Sequence, residues 1–169
     1  MASTGTLILD KKQISQKLER IAWQIYEDNF EEKEIVLAGV VDRGYKMAKR
    51  LQKILKKIAP FSIQLVKIDL DKEGSSLKAQ TDVPIDECRN KAIILVDDVL
   101  NSGRTLVYGL GVFLNIPVKK LRTAVLIDRS HRSFPLSTDF AGMQIATVMN
   151  EHISVVIDER GETDAVYLR

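Results

Sequence analysis

The chain has 169 residues, 45% of them hydrophobic, which is enough for one domain with a buried core. Its 25 basic residues nearly balance its 23 acidic ones, and a formal net charge of +2 argues against broad attraction to nucleic acid or to anionic membranes. The single cysteine, Cys88, excludes an internal disulfide, and it has no partners at metal-ligand spacing. With no export signal or membrane-spanning run in the sequence, we expect one cytoplasmic domain over residues 1–169.

The first part of the chain predicts a helix, a strand and a second helix. Asp10 is a candidate helix cap, and apolar residues then recur at steps of three and four over residues 14–25. A short apolar run at residues 35–39 predicts a strand, and the periodic segment 47–58 predicts the next helix. Pro60 ends that helix.

The middle of the chain centres on a strand with the composition of one buried on both faces. Residues 63–70 suggest a strand, and the polar segment 71–87 is predicted to be a mobile loop. Residues 92–96 are continuously apolar, which is typical of a central parallel strand, and helical periodicity returns at residues 106–114.

The last part of the chain predicts three more strands. Residues 121–127 give a buried strand, residues 128–142 are charged and turn-rich, and short strands are predicted at residues 153–157 and 165–168. Alternating strands and helices predict an α/β fold with a mainly parallel sheet, in which ligands bind at the carboxyl ends of strands.

The segment IILVDDVLNSGRT places a chemical site at the end of the central strand. Asp97 and Asp98 follow its apolar run, and the chain then turns through Gly103 into a helix. Backbone N–H groups of this turn, the hydroxyls of Ser102 and Thr105, and the positive end of the helix dipole can hold a phosphate. Two carboxylates beside an anion would repel it unless hydroxyls lie between them, as those of a ribose do. The segment therefore predicts a ribose 5-phosphate site.

Other interpretations compete with this one. A strand-end acidic pair can cap the next helix and bind nothing. A dinucleotide site is disfavoured because no G-x-G-x-x-G follows a strand. A P-loop is disfavoured because Tyr45 stands in place of its lysine, although Gly39 and Gly44 have the required separation.

The same segment resembles the motif with which type I phosphoribosyltransferases bind 5-phosphoribosyl-1-pyrophosphate (PRPP). From TLILD at Thr6 through VLIDRSHRSFPLSTDF at Val125 to VVID, the chain is similar to the bifunctional pyrimidine-operon regulator/uracil phosphoribosyltransferase family. This resemblance implies a mainly parallel central sheet flanked by helices with a small hood. The PRPP contacts that it implies come from Asp97, Asp98, Val99, Leu100, Asn101, Ser102, Gly103, Arg104 and Thr105.

A second segment, GVVDRGYKMAKRL, is similar to the family's pyrophosphate loop and implies contacts from Val41, Asp42, Arg43 and Gly44. The guanidinium of Arg43 offers a fork of donors, and glycine lets the backbone approach closely. Asp42 replaces the small hydroxyl residue typical of the family and adds negative charge there. Taken alone, the segment is equally compatible with an ordinary strand-to-helix turn.

The resemblance also implies a mechanism in which a base nitrogen attacks the anomeric carbon while magnesium-bound pyrophosphate leaves. Asp97, Asp98 and Arg43 are the expected catalytic residues, and the two carboxylates are expected to influence Mg²⁺ indirectly. The predicted mobile loop corresponds to the family's closing loop, where Lys72 and Lys78 are either substrate contacts or solvated side chains.

For the base, the resemblance implies a pocket wall at Ile127, Asp128 and Arg129 and favours uracil. Spacing alone does not separate a pyrimidine from a purine such as hypoxanthine or guanine. The family likeness further implies a homodimer or larger homo-oligomer.

Members of the resembled family also bind leader RNA of pyrimidine genes through basic residues. Here Arg20, His131 and Arg132 fit this role, so an RNA-binding regulator that senses UMP or PRPP is an alternative to the enzyme. The expected polar or basic side chains are missing at three positions: Trp23, Ser137 and Met143.

Overall fold

The structure is a computed structural model that describes residues 5–71 and 78–169. Its elements are β1 (Thr6–Leu9), α1 (Lys11–Asn29), β2 (Glu34–Val40), α2 (Arg43–Ile58), β3 (Ser62–Asp71), β4 (Lys78–Thr81), a 3₁₀ helix (Ile85–Cys88), β5 (Ala92–Leu100), α3 (Arg104–Gly111), β6 (Lys120–Asp128), β7 (Phe140–Gln144), β8 (Ile153–Val156) and β9 (Ala165–Leu168). Within the described residues, none of the helices has the length and apolar character to cross a membrane.

Six strands form the central sheet in the order β4-β3-β2-β5-β6-β7. Strands β3, β2, β5, β6 and β7 are parallel, and β4 pairs antiparallel at the edge. A second, antiparallel sheet in the order β1-β9-β8 joins the two ends of the described chain and forms the small hood. The predicted fold class is confirmed.

Asp10 caps α1 as the sequence predicts. Its carboxylate accepts a hydrogen bond from Gln13 N at 2.8 Å, and Gln13 Oε1 accepts one from Asp10 N at 2.9 Å. These two bonds satisfy backbone N–H groups that would otherwise lack partners at the helix start. The apolar face of the helix is then buried through Ile14, Leu18, Ile21, Ala22 and Ile25.

Strand β5 lies at the centre of two hydrophobic layers. Ile94 and Val96 pack in the layer that contains α1 and α2, whereas Ile93 and Leu95 pack in the layer that contains α3. This explains the unbroken apolar run of the sequence, because successive side chains of a strand point to opposite faces and both faces are covered here.

The prediction of a mobile loop at residues 71–87 is wrong for two segments. Residues 78–81 form β4, which pairs with the end of β3 so that Lys78 lies opposite Asp71, and residues 85–88 form the 3₁₀ helix. An edge strand with alternating exposed and half-buried residues needs few apolar side chains, so β4 lacks the pattern of a core strand. Lys72 lies outside the described residues.

Three element boundaries also differ from the prediction. Strand β5 continues through the acidic pair to Leu100, and α3 begins at Arg104 and ends at Gly111, earlier than its apolar periodicity indicates. The turn-rich stretch at 128–142 ends sooner than expected, because β7 begins at Phe140. Tertiary pairing with β6 extends both strands beyond their apolar runs.

Candidate active site

The carboxyl ends of β2 and β5, which are adjacent in the sheet, carry the two predicted motifs to one place. A cavity of about 240 Å³ opens there. Its lining joins both motifs to residues from β3 and β8: Val40, Val41, Asp42, Arg43, Leu70, Asp97, Asp98, Val99, Asn101, Thr105 and Ile153. Leu70 and Ile153 carry no sequence signal for this role, since their position depends on strand length and on how the hood lies over the sheet.

The acidic pair is buried at the floor of this cavity. Asp97 and Asp98 are each 7% exposed, and Asp97 Oδ1 accepts a hydrogen bond from Asp98 N at 2.9 Å. Asp98 Oδ2 lies 2.7 Å from Arg43 Nε, yet it accepts no hydrogen bond from the described residues. The contact is therefore an ion pair without the alignment of a hydrogen bond. The buried Asp98 Oδ2 can still accept a hydrogen bond from a ligand.

Two features of the site raise the pKa of Asp97. Burial, and next the charge of the adjacent Asp98, raise the pKa of Asp97 well above its ordinary value, whereas Arg43 opposes this shift. Two carboxylates in one buried site cannot both ionise cheaply. A ligand that donates hydroxyl groups or brings a cation would favour the charged form of Asp97.

The pyrophosphate loop, residues 41–44, runs from the end of β2 into the first turn of α2, and it lies directly against β5 because residue 44 is glycine. A Cβ at Gly44 would come within 2.7 Å of Val96 O and 2.9 Å of Asp97 Cα. The peptide bond between Val41 and Asp42 is cis. The close approach leaves the guanidinium of Arg43 next to the acidic pair.

Asp42 is largely exposed to solvent in this loop. Its side chain is 77% exposed, and its carboxylate lies 3.2 Å from Lys46 Nζ, one helical turn later. Solvent and this lysine both reduce the effect of its negative charge on an anion bound beside Arg43.

The turn after β5 is shaped to receive an anion. Gly103 has a φ of +89°, a conformation that favours glycine, and α3 starts at the next residue. Ser102 Oγ accepts a hydrogen bond from Arg104 N at 3.2 Å, and Ser102 O accepts bonds from Ser133 N at 2.8 Å and Phe134 N at 3.1 Å. These contacts hold the turn beside a hollow of about 40 Å³, which the first residues of α3 line together with Asp97.

Comparison with known proteins identifies the family. The family model described as the phosphoribosyl transferase domain matches residues 5–160. The chain belongs to the phosphoribosyltransferase family. It is 35% identical to the bifunctional protein PyrR of Macrococcus caseolyticus, over 96% of this chain and 98% of that protein. It is also 34% identical to the bifunctional protein PyrR of Bacillus subtilis, over 95% and 94% of the two chains.

Solved structures agree with this phosphoribosyltransferase fold. A hypoxanthine-guanine phosphoribosyltransferase of Bacillus anthracis is 25% identical, with a TM-score of 0.70 over 83% of this chain and 82% of that one. The hypoxanthine phosphoribosyltransferase of Trypanosoma cruzi reaches a TM-score of 0.81 over 100% and 93% of the two chains, but at 19% identity it shows the fold alone.

The three residues of this chain that are predicted to contact the base have buried side chains. Ile127 and Asp128 are fully buried. Asp128 accepts hydrogen bonds from Ser130 N at 2.9 Å and from Arg132 Nη2 at 2.8 Å, and the guanidinium of Arg129 is bonded to other protein groups. Their side chains are therefore engaged within the protein, and the assignment of this wall to a base stays a prediction.

The residues predicted to contact RNA are also engaged within the protein. Arg20 donates to the carbonyls of Ala141 and Gly142, and His131 Nε2 lies 2.6 Å from Thr147 O. Arg132 forms the ion pair with Asp128 described above. RNA binding by these three side chains would compete with existing contacts, and it stays a prediction.

Proposed function

We propose that the chain transfers the phosphoribosyl group of PRPP to uracil, giving UMP and pyrophosphate. The observation that carries this proposal is the buried Asp98 Oδ2, which accepts no hydrogen bond from the described residues at the floor of the cavity. A ribose hydroxyl supplies the missing donor. The turn at Gly103 on one side and Arg43 on the other then fit the two phosphorylated ends of PRPP.

Each part of PRPP has a counterpart in this arrangement. The 5-phosphate lies against the first N–H groups of α3 with the hydroxyls of Ser102 and Thr105 nearby. The ribose hydroxyls donate to Asp97 and Asp98, and the pyrophosphate lies against the loop that carries Arg43. The two carboxylates therefore separate the two anions without contacting either directly.

The chemistry required of the protein is chiefly positioning. A nitrogen of uracil forms a bond to the anomeric carbon as the bond to pyrophosphate breaks, and this nitrogen gives up its proton to the solvent. Positive charge develops on the ribose and negative charge on the leaving group during the transfer. Arg43 stabilises the departing charge, and the buried acidic pair lies near the positive charge of the ribose. Alignment of two bound reactants can lower a barrier by about 7–11 kcal/mol.

The site fits a magnesium ion that arrives with the substrate. The described part of the chain holds no group of three or more histidine, cysteine or acidic side chains able to bind a metal. Mg²⁺ is coordinated by phosphate oxygens and keeps several of its water ligands. Two neighbouring carboxylates therefore suffice to bind the ion through these waters. When bound, the ion neutralises charge on the pyrophosphate.

Uracil is proposed on the resemblance to the pyrimidine-operon regulator/uracil phosphoribosyltransferase family, and the PyrR relatives match nearly the whole chain. The competing base is hypoxanthine or guanine, which the likeness to the hypoxanthine-guanine enzyme of Bacillus anthracis supports at lower identity. Pyrophosphate release from PRPP and Mg²⁺, measured separately with uracil, hypoxanthine and guanine, decides between them. We expect release with uracil alone; release only with a purine refutes the choice of base, and none with any base refutes the transferase.

A second role as an RNA-binding regulator of pyrimidine genes is implied by the resemblance to the pyrimidine-operon regulator/uracil phosphoribosyltransferase family. The name bifunctional protein PyrR of these relatives is consistent with two activities. The contacts of Arg20 and Arg132 within the protein argue for weak RNA binding. Gel shift with a pyrimidine-gene leader RNA, with and without UMP, tests this role, and salt-insensitive or absent binding rejects it. A cytoplasmic homodimer or larger homo-oligomer stays a prediction.

A further inference from the structure

Arg129 is a buried cation behind the cavity, at the carboxyl end of β6 and 8% exposed. Its guanidinium donates in three directions. Nη1 bonds Asn101 Oδ1 at 3.2 Å, and Nε bonds Thr147 Oγ1 at 2.7 Å. Nη2 bonds the carbonyls of Glu151 at 2.6 Å and Val148 at 3.4 Å.

One of these partners lies in a wall of the cavity, and the others lie in the segment that leads to a second wall. Asn101 is the first residue of the turn after β5 and lines the cavity itself. Residues 147–151 lead directly into Ile153, which starts β8 and lines the cavity from the other side. The backbone reinforces this link, since Arg129 N donates to Leu100 O at 2.9 Å.

We infer that Arg129 is a positioning residue that fixes the phosphate-binding turn relative to residues 147–151, and thereby sets the cavity for a nucleoside 5-phosphate. This inference rests on the proposed function. A guanidinium has five N–H donors in a rigid plane, so it can bridge walls that a single ammonium nitrogen cannot reach together. Arg129 acts through these two segments. A base bound beside it would therefore contact residues that Arg129 holds in place.

The change Arg129→Lys tests the bridge because it keeps the charge and removes the fork. The pyrophosphate loop around Arg43 and Gly44 is held instead by its contacts with β5. We therefore expect the affinity for UMP to fall about 10-fold, the scale of one lost hydrogen bond to a charged group. The affinity for magnesium pyrophosphate should stay within about 2-fold of the wild-type value, because Arg129 makes no hydrogen bond to the pyrophosphate loop.

Arg122→Lys is the matched control. Arg122 lies on the same strand at its opposite end, where its Nε pairs with Asp28 Oδ2 at 3.2 Å. We expect this variant to bind both UMP and magnesium pyrophosphate as the wild type does. Equal losses of both ligands in Arg129→Lys would indicate a general structural defect and would overturn the inference.

Amide hydrogen exchange provides a readout without any ligand. In Arg129→Lys we expect faster exchange at residues 101–105 and 147–151 together, and wild-type rates there in Arg122→Lys. Unchanged exchange with unchanged UMP affinity overturns the positioning role and leaves the proposed function intact. If the wild type binds neither UMP nor PRPP, the proposed function fails and this inference fails with it.

Discussion

Arg43 Nε lies 2.7 Å from Asp98 Oδ2, and this ion pair joins the loop after β2 to the end of β5. The two side chains differ in exposure, at 56% for Arg43 and 10% for Asp98. A largely exposed cation thus covers a buried anion. Binding of PRPP would let the guanidinium turn to the pyrophosphate while ribose hydroxyls satisfy the carboxylate.

Replacing Arg43 with alanine should impair use of PRPP. Because a hydrogen bond between charged groups contributes about 1.5–3 kcal/mol, we expect kcat/KM for PRPP to fall ~10- to 100-fold. The measurement is initial-rate kinetics at varied PRPP with saturating base and Mg²⁺. Arg89→Ala is the control, since Arg89 is 49% exposed and its ion pair among the described residues is with Asp86, three residues earlier. Wild-type kinetics in Arg43→Ala would contradict the assigned role.

Replacing Asp97 with asparagine should stabilise the free protein and weaken PRPP binding. The pKa of Asp97 is raised by burial and by Asp98, so its contribution to stability is complete at pH below the pKa of the unfolded chain and is lost as pH rises through the raised value. The variant avoids that loss. We expect its melting temperature to exceed that of the wild type by ~2–4 °C at pH 8, equivalent to about 1 kcal/mol.

Thermal unfolding at pH 4 and pH 8 distinguishes this electrostatic cause from better packing. The advantage of Asp97→Asn should shrink at pH 4, where the wild-type carboxyl is closer to its protonated form in both folded and unfolded states. An advantage that is equal at both pH values, or a variant less stable at pH 8, would show that the charge of Asp97 is not the cause.

Replacing Gly44 with alanine should displace the loop that carries Arg43. The added Cβ would meet backbone atoms of Val96 and Asp97 that cannot move aside easily. Overpacking of this kind costs about 1–3 kcal/mol, and we expect a lower melting temperature with at least ~10-fold lower kcat/KM for PRPP, since small displacements of reactive groups are costly.

Gly111→Ala is the matched control for Gly44→Ala, because a Cβ at Gly111 meets nothing within 4 Å. Alanine favours the helix by ~0.5–1 kcal/mol, so this variant should be as stable as the wild type or slightly more so, with unchanged kinetics. Equal behaviour of the two alanine variants would show that the close approach at residue 44 has no functional part.

The core of the fold was predictable because apolar residues recur in the sequence at the spacing of the helices and strands that they form. The helix that begins after Asp10 and the strand around Ile94 both bury their apolar faces as the sequence indicates. Strand β4 was not predictable, since a polar edge strand owes its structure to pairing with β3 rather than to its own composition.

The candidate site was predictable only where its residues follow strands that are adjacent in a parallel sheet. This rule places Arg43 near Asp98, and the structure agrees. The rule gives no information about Ile153, which reaches the cavity through the hood. It also misses the bridge from Arg129 to Asn101 and Thr147, because side-chain reach across 18 to 28 residues of sequence leaves no periodic signal.

The proposed arrangement of PRPP in the cavity is tested most directly by a crystal structure of the protein with UMP and magnesium pyrophosphate. We expect the UMP phosphate against the turn at Gly103, the ribose hydroxyls on Asp97 and Asp98, and pyrophosphate beside Arg43. Density for either ligand only elsewhere on the molecule, or an acidic pair that contacts no sugar while both ligands are bound, would contradict it.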